Sequence, residues 1–224
     1  MIPWEELGRA KVPGNTNELI LRKRGQEFSI QTAGIELMNS RIHGSEDALA
    51  TLALDCTKAK GRLEILIGGL GMGYTLGAAL AKAGPKDAIL VSELVSEVVF
   101  WNQNHLGHLA GMPLDDPRVA LELFDVGSII AASRADWDVI LLDVDNGPSG
   151  LTQKSNNSLY TRAGVNACFK ALAPGGVLAV WSAGVDDAYT RSLNQCGFKV
   201  KSVVVRAMPD NKGSRHIIWL AVKP

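Results

Sequence analysis

Gly68, Gly69, Gly71 and Gly73 put four glycines within six residues, directly after the apolar run Leu63 to Ile67. Glycine turns with φ > 0 and lets a ligand touch backbone. The stretch therefore reads as strand, glycine turn and helix, the phosphate- and nucleoside-binding start of an α/β sheet. Three acids follow at the ends of later apolar runs: Glu93 after Ala88 to Ser92, Asp125 after Arg118 to Leu123, and Asp143 after Trp137 to Leu142. In an open parallel sheet the ligand lies beyond the carboxyl ends of the strands. A carboxylate at Glu93 can accept from both hydroxyls of a ribose. Asp125 can accept from an adenine amino group, with Val126 offering a backbone amide to the ring, and Asp143 would face the reactive centre. One such acid is an ordinary helix N-cap; three at consecutive strand ends beside the glycine turn point to a nucleoside site.

The spacing narrows the ligand. Gly69, Gly71 and Gly73 form G-x-G-x-G, whereas the dinucleotide fingerprint places its third glycine one residue later, where Tyr74 stands. No Gly-Lys-Ser/Thr follows, which excludes a P-loop. The compact form fits S-adenosylmethionine (AdoMet) enzymes, whose ligand has no pyrophosphate to cradle. The expected cofactor-binding set is Gly69, Leu70, Gly71, Gly73, Glu93, Asp125, Val126 and Asp143.

These residues need a scaffold that brings strand ends together. From residue 63 to about 197 apolar strands alternate with helices: Tyr74 to Lys82, Val95 to Leu109, Val126 to Ser133, Tyr160 to Leu172 and Val185 to Cys196. That alternation demands a parallel sheet covered on both faces. A fifth strand, Val177 to Trp181, follows a turn at Ala173-Pro174-Gly175-Gly176. Phe198 to Val205 and His216 to Val222 have no helix between them and should pair antiparallel at one edge. The fold class is α/β: a Rossmann-like, doubly wound, mostly parallel seven-stranded sheet with a C-terminal antiparallel hairpin, the architecture of class I AdoMet-dependent methyltransferases. Ahead of it, residues 1–17 look irregular, and Glu18 to Arg22, Glu27 to Gln31 and Ile35 to Met38 form short strands. Ser45 caps a helix over Ala48 to Leu54. The expected domains are a small N-terminal β element, 1–44, and an AdoMet-binding domain, 45–224. Residues 144–158 have turn composition and unusual length for a connection, as a functional loop would.

Composition excludes several classes. In 224 residues, 23 basic and 23 acidic side chains cancel, so no bulk charge favours nucleic acid. Cys56, Cys168 and Cys196 are scattered, odd in number and without metal-ligand spacing, as in reduced cytosolic proteins. No run of about 18 apolar residues exists and no basic-then-apolar leader opens the chain. The expectation is a soluble cytoplasmic protein with no metal, no nucleic-acid partner and no membrane contact. His105 and His108 stand three apart on a helix but lack a third ligand. Ser149, Ser155 and Ser158 have no G-x-S-x-G setting. Residues 1–40 could form a lid, a homodimer contact or both.

Three stretches resemble the spermidine synthase family, a branch of the class I AdoMet fold. Ile65 to Gly73 is similar to its I-G-G-G-D-G-G turn. Trp-Asp-Val-Ile-Leu-Leu-Asp-Val-Asp-Asn-Gly-Pro, residues 137–148, resembles its Y-D-V-I-x-x-D-S-S-D-P-x-G-P loop. Ser158 to Leu178 is close to its L-[FY]-T … L-x-P-G-G-V-L segment and carries Tyr160. The resemblance implies ribose and adenine binding by Glu93 and Asp125. It also implies a catalytic acid near Asp145 or Asn146, and an acceptor side near Ser45-Glu46-Asp47. Where the family's glycine turn carries an aspartate for the substrate's aminopropyl amine, this chain has Gly71. On that ground the expected reaction is AdoMet-dependent methyl transfer to a small-molecule acceptor, an amine among the options. Aminopropyl transfer from decarboxylated AdoMet is the alternative and a non-catalytic nucleoside-binding scaffold the second. Asp143 and Asp145 are the expected catalytic residues; His43, Glu46, Asn146 and Tyr160 are the acceptor-side candidates.

Overall fold

The computed structural model describes residues 2–14, 17–144, 157–208 and 212–224. Four antiparallel strands open the chain: β1 (Glu5–Lys11), β2 (Glu18–Arg24), β3 (Glu27–Thr32) and β4 (Ile35–Asn39), paired in sequence order. Helix α1 (Gly44–Cys56) leads into the second sheet. There β5 (Glu64–Gly68), α2 (Tyr74–Lys82), β6 (Ala88–Glu93), α3 (Ser96–Trp101), β7 (Val119–Leu123), α4 (Val126–Ala132) and β8 (Trp137–Leu142) alternate. After α5 (Asn157–Tyr160) and α6 (Arg162–Ala171) come β9 (Leu172–Ser182), α7 (Asp187–Gln195), β10 (Lys199–Met208) and β11 (Lys212–Val222).

The seven strands run in the order β10-β11-β9-β8-β5-β6-β7. β5 through β9 are parallel, and β11 pairs antiparallel with both β9 and β10. The order reverses beside β5, so the crevice of the sheet opens at the glycine turn, where ligands of such sheets bind. Alternate residues along each strand feed two cores. Ile65, Ile67, Val139 and Leu141 face α1, α2 and the N-terminal sheet; Leu66, Ile140, Leu142 and Trp219 face α4, α6 and α7. Among the described residues no helix is long and apolar enough to cross a membrane.

The structure corrects the sequence expectations in four places. Ser45, expected to cap α1, lies inside it: His43 stands at the N-cap, and the Ser45 hydroxyl turns to Glu46. Residues 5–11, expected to be irregular, form β1. It is an edge strand whose charged side chains stand outward, with Ala10 buried and Arg9 paired to Glu6 and Glu18. It therefore lacks the apolar alternation that marks a half-buried strand. The helix expected over 95–109 is regular only to Trp101, then passes through a wider turn at Asn102–Leu106 and a tight one at Gly107–Ala110. Asn102 turns its amide back to donate to the Val98 carbonyl at 2.9 Å. The turn expected at 173–176 lies inside β9. Neighbours on two sides pin it around a left-handed Gly175 (φ 80°): Lys58 N–H donates to Gly175 O, Gly175 N–H donates to Lys223 O just past β11, and Lys223 N–H donates to Gly176 O.

The glycine turn is where backbone meets backbone. Gly69, Gly71 and Gly73 have φ of 90°, 53° and 85°. A Cβ on Gly69 would stand 2.6 Å from the Asp143 carbonyl oxygen. Gly69→Ala therefore incurs both a left-handed strain and a backbone clash, a loss of roughly 1–3 kcal/mol or more. Urea unfolding should show it; a loss under about 0.5 kcal/mol, the size of an ordinary surface change, would mean the turn tolerates a side chain.

Candidate functional site

One pocket of about 210 Å³ lies at the ends of β5, β6, β7 and β8. The glycine turn forms its floor and is held by side chains from elsewhere. Leu70 N–H donates to Glu93 Oε2 at 2.9 Å, and Leu94 and Val95 N–H donate to Glu93 Oε1 at 2.8 and 2.9 Å. Glu93 is 9% exposed. Its carboxylate thus ties the end of β6 to the turn after β5; Oε1 is filled by two donors, and Oε2 keeps capacity for one more. Asn102 Nδ2 donates to the Gly71 carbonyl at 2.8 Å. Sequence reasoning did not single out Asn102; a buried asparagine in an apolar helix was the available signal.

Asp125 caps α4, its Oδ2 accepting from Ser128 N–H and Oγ, each at 2.8 Å. The capping role expected of a lone acid is thus present, yet Asp125 and Val126 also line the pocket. So do Gly69, Leu70, Gly71, Glu93 and Asp143. Gly73 sits behind the wall, starting α2 in a left-handed conformation. The residue types fit an adenosine: carboxylates at the β6 and β7 ends for hydroxyl and amino donors, and a floor of glycine where a side chain would fill the space.

The opposite wall comes from the N-terminal sheet. Val12, Leu19, Ile30, Leu37 and Met38 face the pocket, an apolar cover that the sequence did not place there. Met38 matters most. Its Sδ and Cε lie 3.1 Å from where a Cβ on Gly71 would project. The thioether therefore takes the room that an aspartate at that position would need.

Acid reaches the pocket from two other elements. Asp143 ends β8, and Glu46 lies in the first turn of α1; both line the cavity. Thr75 Oγ1 donates to Asp143 Oδ2 at 2.6 Å, and Ser45 Oγ donates to Glu46 Oε2 at 2.6 Å. Burial, and then the charge of Asp143, push Glu46 up to about 7. Burial also raises Asp143, against the Thr75 hydrogen bond. Two carboxyls in one low-polarity site resist double ionisation, so near neutrality the pair holds a proton unless a cation joins it.

The remaining candidates stand differently. His43 stacks on Tyr74, with ring centroids 4.0 Å apart, and bonds Asp47 through Nδ1 at 2.8 Å. It does not line the pocket, but Tyr74 does. Tyr160 OH donates to Val144 O at 2.9 Å, anchoring the backbone just after Asp143 from outside the cavity. Asp145 and Asn146, with most of the 144–158 loop, lie outside the described residues. His108 packs edge-on to Phe28 and His105 to Phe100.

No protein-family model matches the chain. Among curated proteins, a polyamine aminopropyltransferase of Nitrosomonas europaea is 31% identical over 96 residues, 42% of this chain and 27% of that relative. The match thus spans about a quarter of the relative's length. Among solved structures, the spermidine synthase of Thermotoga maritima superposes with TM-score 0.77 at 16% identity, covering 98% of this chain and 73% of its own. A spermidine synthase in complex with the transition-state analogue AdoDATO gives 0.75 at 16% identity, covering 98% and 72%. A probable spermidine synthase from Corynebacterium glutamicum gives 0.67 at 18%, covering 96% and 79%. The chain has the fold of these spermidine synthases. The expectation of methyl transfer is overturned: the similar proteins just described are a polyamine aminopropyltransferase and spermidine synthases. That expectation rested on Gly71 standing where an acid was looked for; Glu46 and Asp143 bring acid to the pocket from α1 and from the end of β8.

The acid pair gives stability a distinct pH dependence. Between the ordinary value of 4.5 and about 7, an unfolded chain has released the Glu46 proton while the folded one retains it. The folded state then binds more protons, so stability falls as pH rises through that window. Glu46→Gln should flatten this slope and raise stability near pH 8 by on the order of 1–3 kcal/mol. Thermal melts at several pH values check this; parallel curves for variant and wild type would show that Glu46 ionises freely.

Proposed function

We propose that this chain is an aminopropyltransferase that takes decarboxylated AdoMet as donor and an amine as acceptor. The observation carrying this reading is the half-buried Glu46–Asp143 pair beside the adenosine-type site. Decarboxylated AdoMet carries an ammonium with no carboxylate beside it. Such a cation restores ionisation to an acid pair that burial and mutual repulsion otherwise keep protonated. AdoMet would bring its own carboxylate toward the same two acids. The family resemblance and the aminopropyltransferase relative support the same donor.

In the reaction the acceptor nitrogen attacks the methylene carbon attached to the sulfonium sulfur. A C–N bond forms, the C–S bond breaks, its electron pair stays on sulfur, and methylthioadenosine leaves. The acceptor nitrogen sheds one proton. Little covalent work falls to the protein, whose main tasks are alignment and proton acceptance. Glu93 accepts from a ribose hydroxyl at Oε2, Asp125 from the adenine amino group, and Val126 offers its amide to the ring. Glu46 and Asp143 hold the substrate ammonium and accept the proton. Met38, Leu37 and Ile30 shut water from the reacting carbon.

The test is a competition between donors. Decarboxylated AdoMet should bind about tenfold or more tighter than AdoMet, the value of one charge-assisted contact. Incubation with a short aliphatic diamine should release methylthioadenosine. Asp143→Asn and Glu46→Gln should each reduce the donor preference by about tenfold. Equal affinity for the two donors, with no methylthioadenosine formed, would contradict the proposal.

A further inference from the structure

A line of hydrogen bonds leads out of the acid pair on the side away from Thr75. Ser45 is 1% exposed, and its Oγ lies between two partners: it donates to Glu46 Oε2 at 2.6 Å and lies 2.9 Å from His216 Nδ1. A hydroxyl has one hydrogen. With that hydrogen on Glu46, the imidazole must carry its own on Nδ1 and donate it to Ser45. His216 sits on β11, half-buried, its ring 4.7 Å from Trp181, which lines the pocket. Burial lowers the imidazole's affinity for a second proton, keeping it neutral and able to accept.

We infer that Ser45 and His216 are a proton relay that drains Glu46 to solvent. The relay has two states. With Glu46 protonated, the acid donates to Ser45 Oγ, and Ser45 donates to Nδ1 of an imidazole that holds its hydrogen on Nε2. With Glu46 ionised, Ser45 donates to the carboxylate and Nδ1–H donates to Ser45. Passing from the first to the second moves the Glu46 proton to Ser45 Oγ and the hydroxyl proton to Nδ1. The Nε2 proton goes to water, so one proton leaves Glu46 and one reaches solvent. The charged groups on the elements packed around His216 are Glu46 and Asp47 on α1, Asp143 beyond Glu46, and Arg206 on β10 opposite Arg215. Arg206 is turned to the Gly213 carbonyl at 3.0 Å, and Asp47 to His43 at 2.8 Å. Glu46 is therefore the acid whose state His216 reads. Neither Ser45 nor His216 lines the pocket, so both act through Glu46 as positioning residues.

The relay rests on the aminopropyl-transfer reading only for its kinetic consequence, and its test has an arm free of activity. Nitrogen NMR of labelled histidine in the full chain should show the His216 hydrogen moving from Nε2 to Nδ1 as Glu46 ionises between about pH 5 and about pH 8. In Ser45→Ala that switch should vanish while the melting temperature shows a folded protein. In the kinetic arm, His216→Gln should lower kcat about tenfold or more with KM for decarboxylated AdoMet little changed. Imidazole added to His216→Ala should restore turnover in proportion to its concentration. A His216 tautomer that stays fixed across this range, or that switches equally in Ser45→Ala, overturns the relay whatever the enzyme does. A coupled tautomer in a protein that forms no methylthioadenosine upholds the relay and overturns the reaction assigned above.

Discussion

Two carboxyl groups face the same cavity, and neither brings a cation with it. Glu46 lies in the first turn of α1 and Asp143 follows β8; the packing of α1 across the sheet makes them neighbours. Each has one hydroxyl donor, Ser45 for the first and Thr75 for the second. A hydroxyl stabilises a carboxylate, but one hydrogen bond does not replace the hydration removed by burial. The unliganded pair therefore carries a proton near neutrality. The site is built with its charge requirement unmet, and a ligand with an ammonium group meets it.

The surrounding structure serves that arrangement. Gly69 lets the β5 turn pass against the Asp143 carbonyl. Glu93 uses three backbone amides to fix the turn's far side, and Asn102 holds the Gly71 carbonyl from beneath. The N-terminal sheet closes the cavity with aliphatic side chains and a thioether. Such walls keep the local dielectric low, which strengthens any charge pairing inside. The same apolar cover raises the cost of leaving the acids ionised without a partner.

Much of this was legible in the residues. Glycine at 69, 71 and 73, with Glu93, Asp125 and Asp143 at successive strand ends, located the crevice because strand ends are local features of sequence. The pairing of Glu46 with Asp143 was not legible, since it depends on how α1 packs across the sheet, a tertiary fact. For the same reason Gly71 misled: a missing acid in one loop says nothing about acids that arrive from another. Met38 and Gly71 complement each other in shape, and no one-dimensional pattern shows that. β1 was missed because an exposed charged edge has no apolar period. The bend at Asn102 escaped because a side chain turned back onto its own helix leaves the apolar spacing intact.

The central claim is that the Glu46–Asp143 pair exchanges a proton for a substrate cation. Titration calorimetry of decarboxylated AdoMet near pH 6, repeated in buffers of different ionisation enthalpy, counts the protons released on binding. The account requires release of about one proton per ligand bound, lost in Glu46→Gln. Binding of decarboxylated AdoMet with no proton release, or release unchanged in that variant, would contradict it.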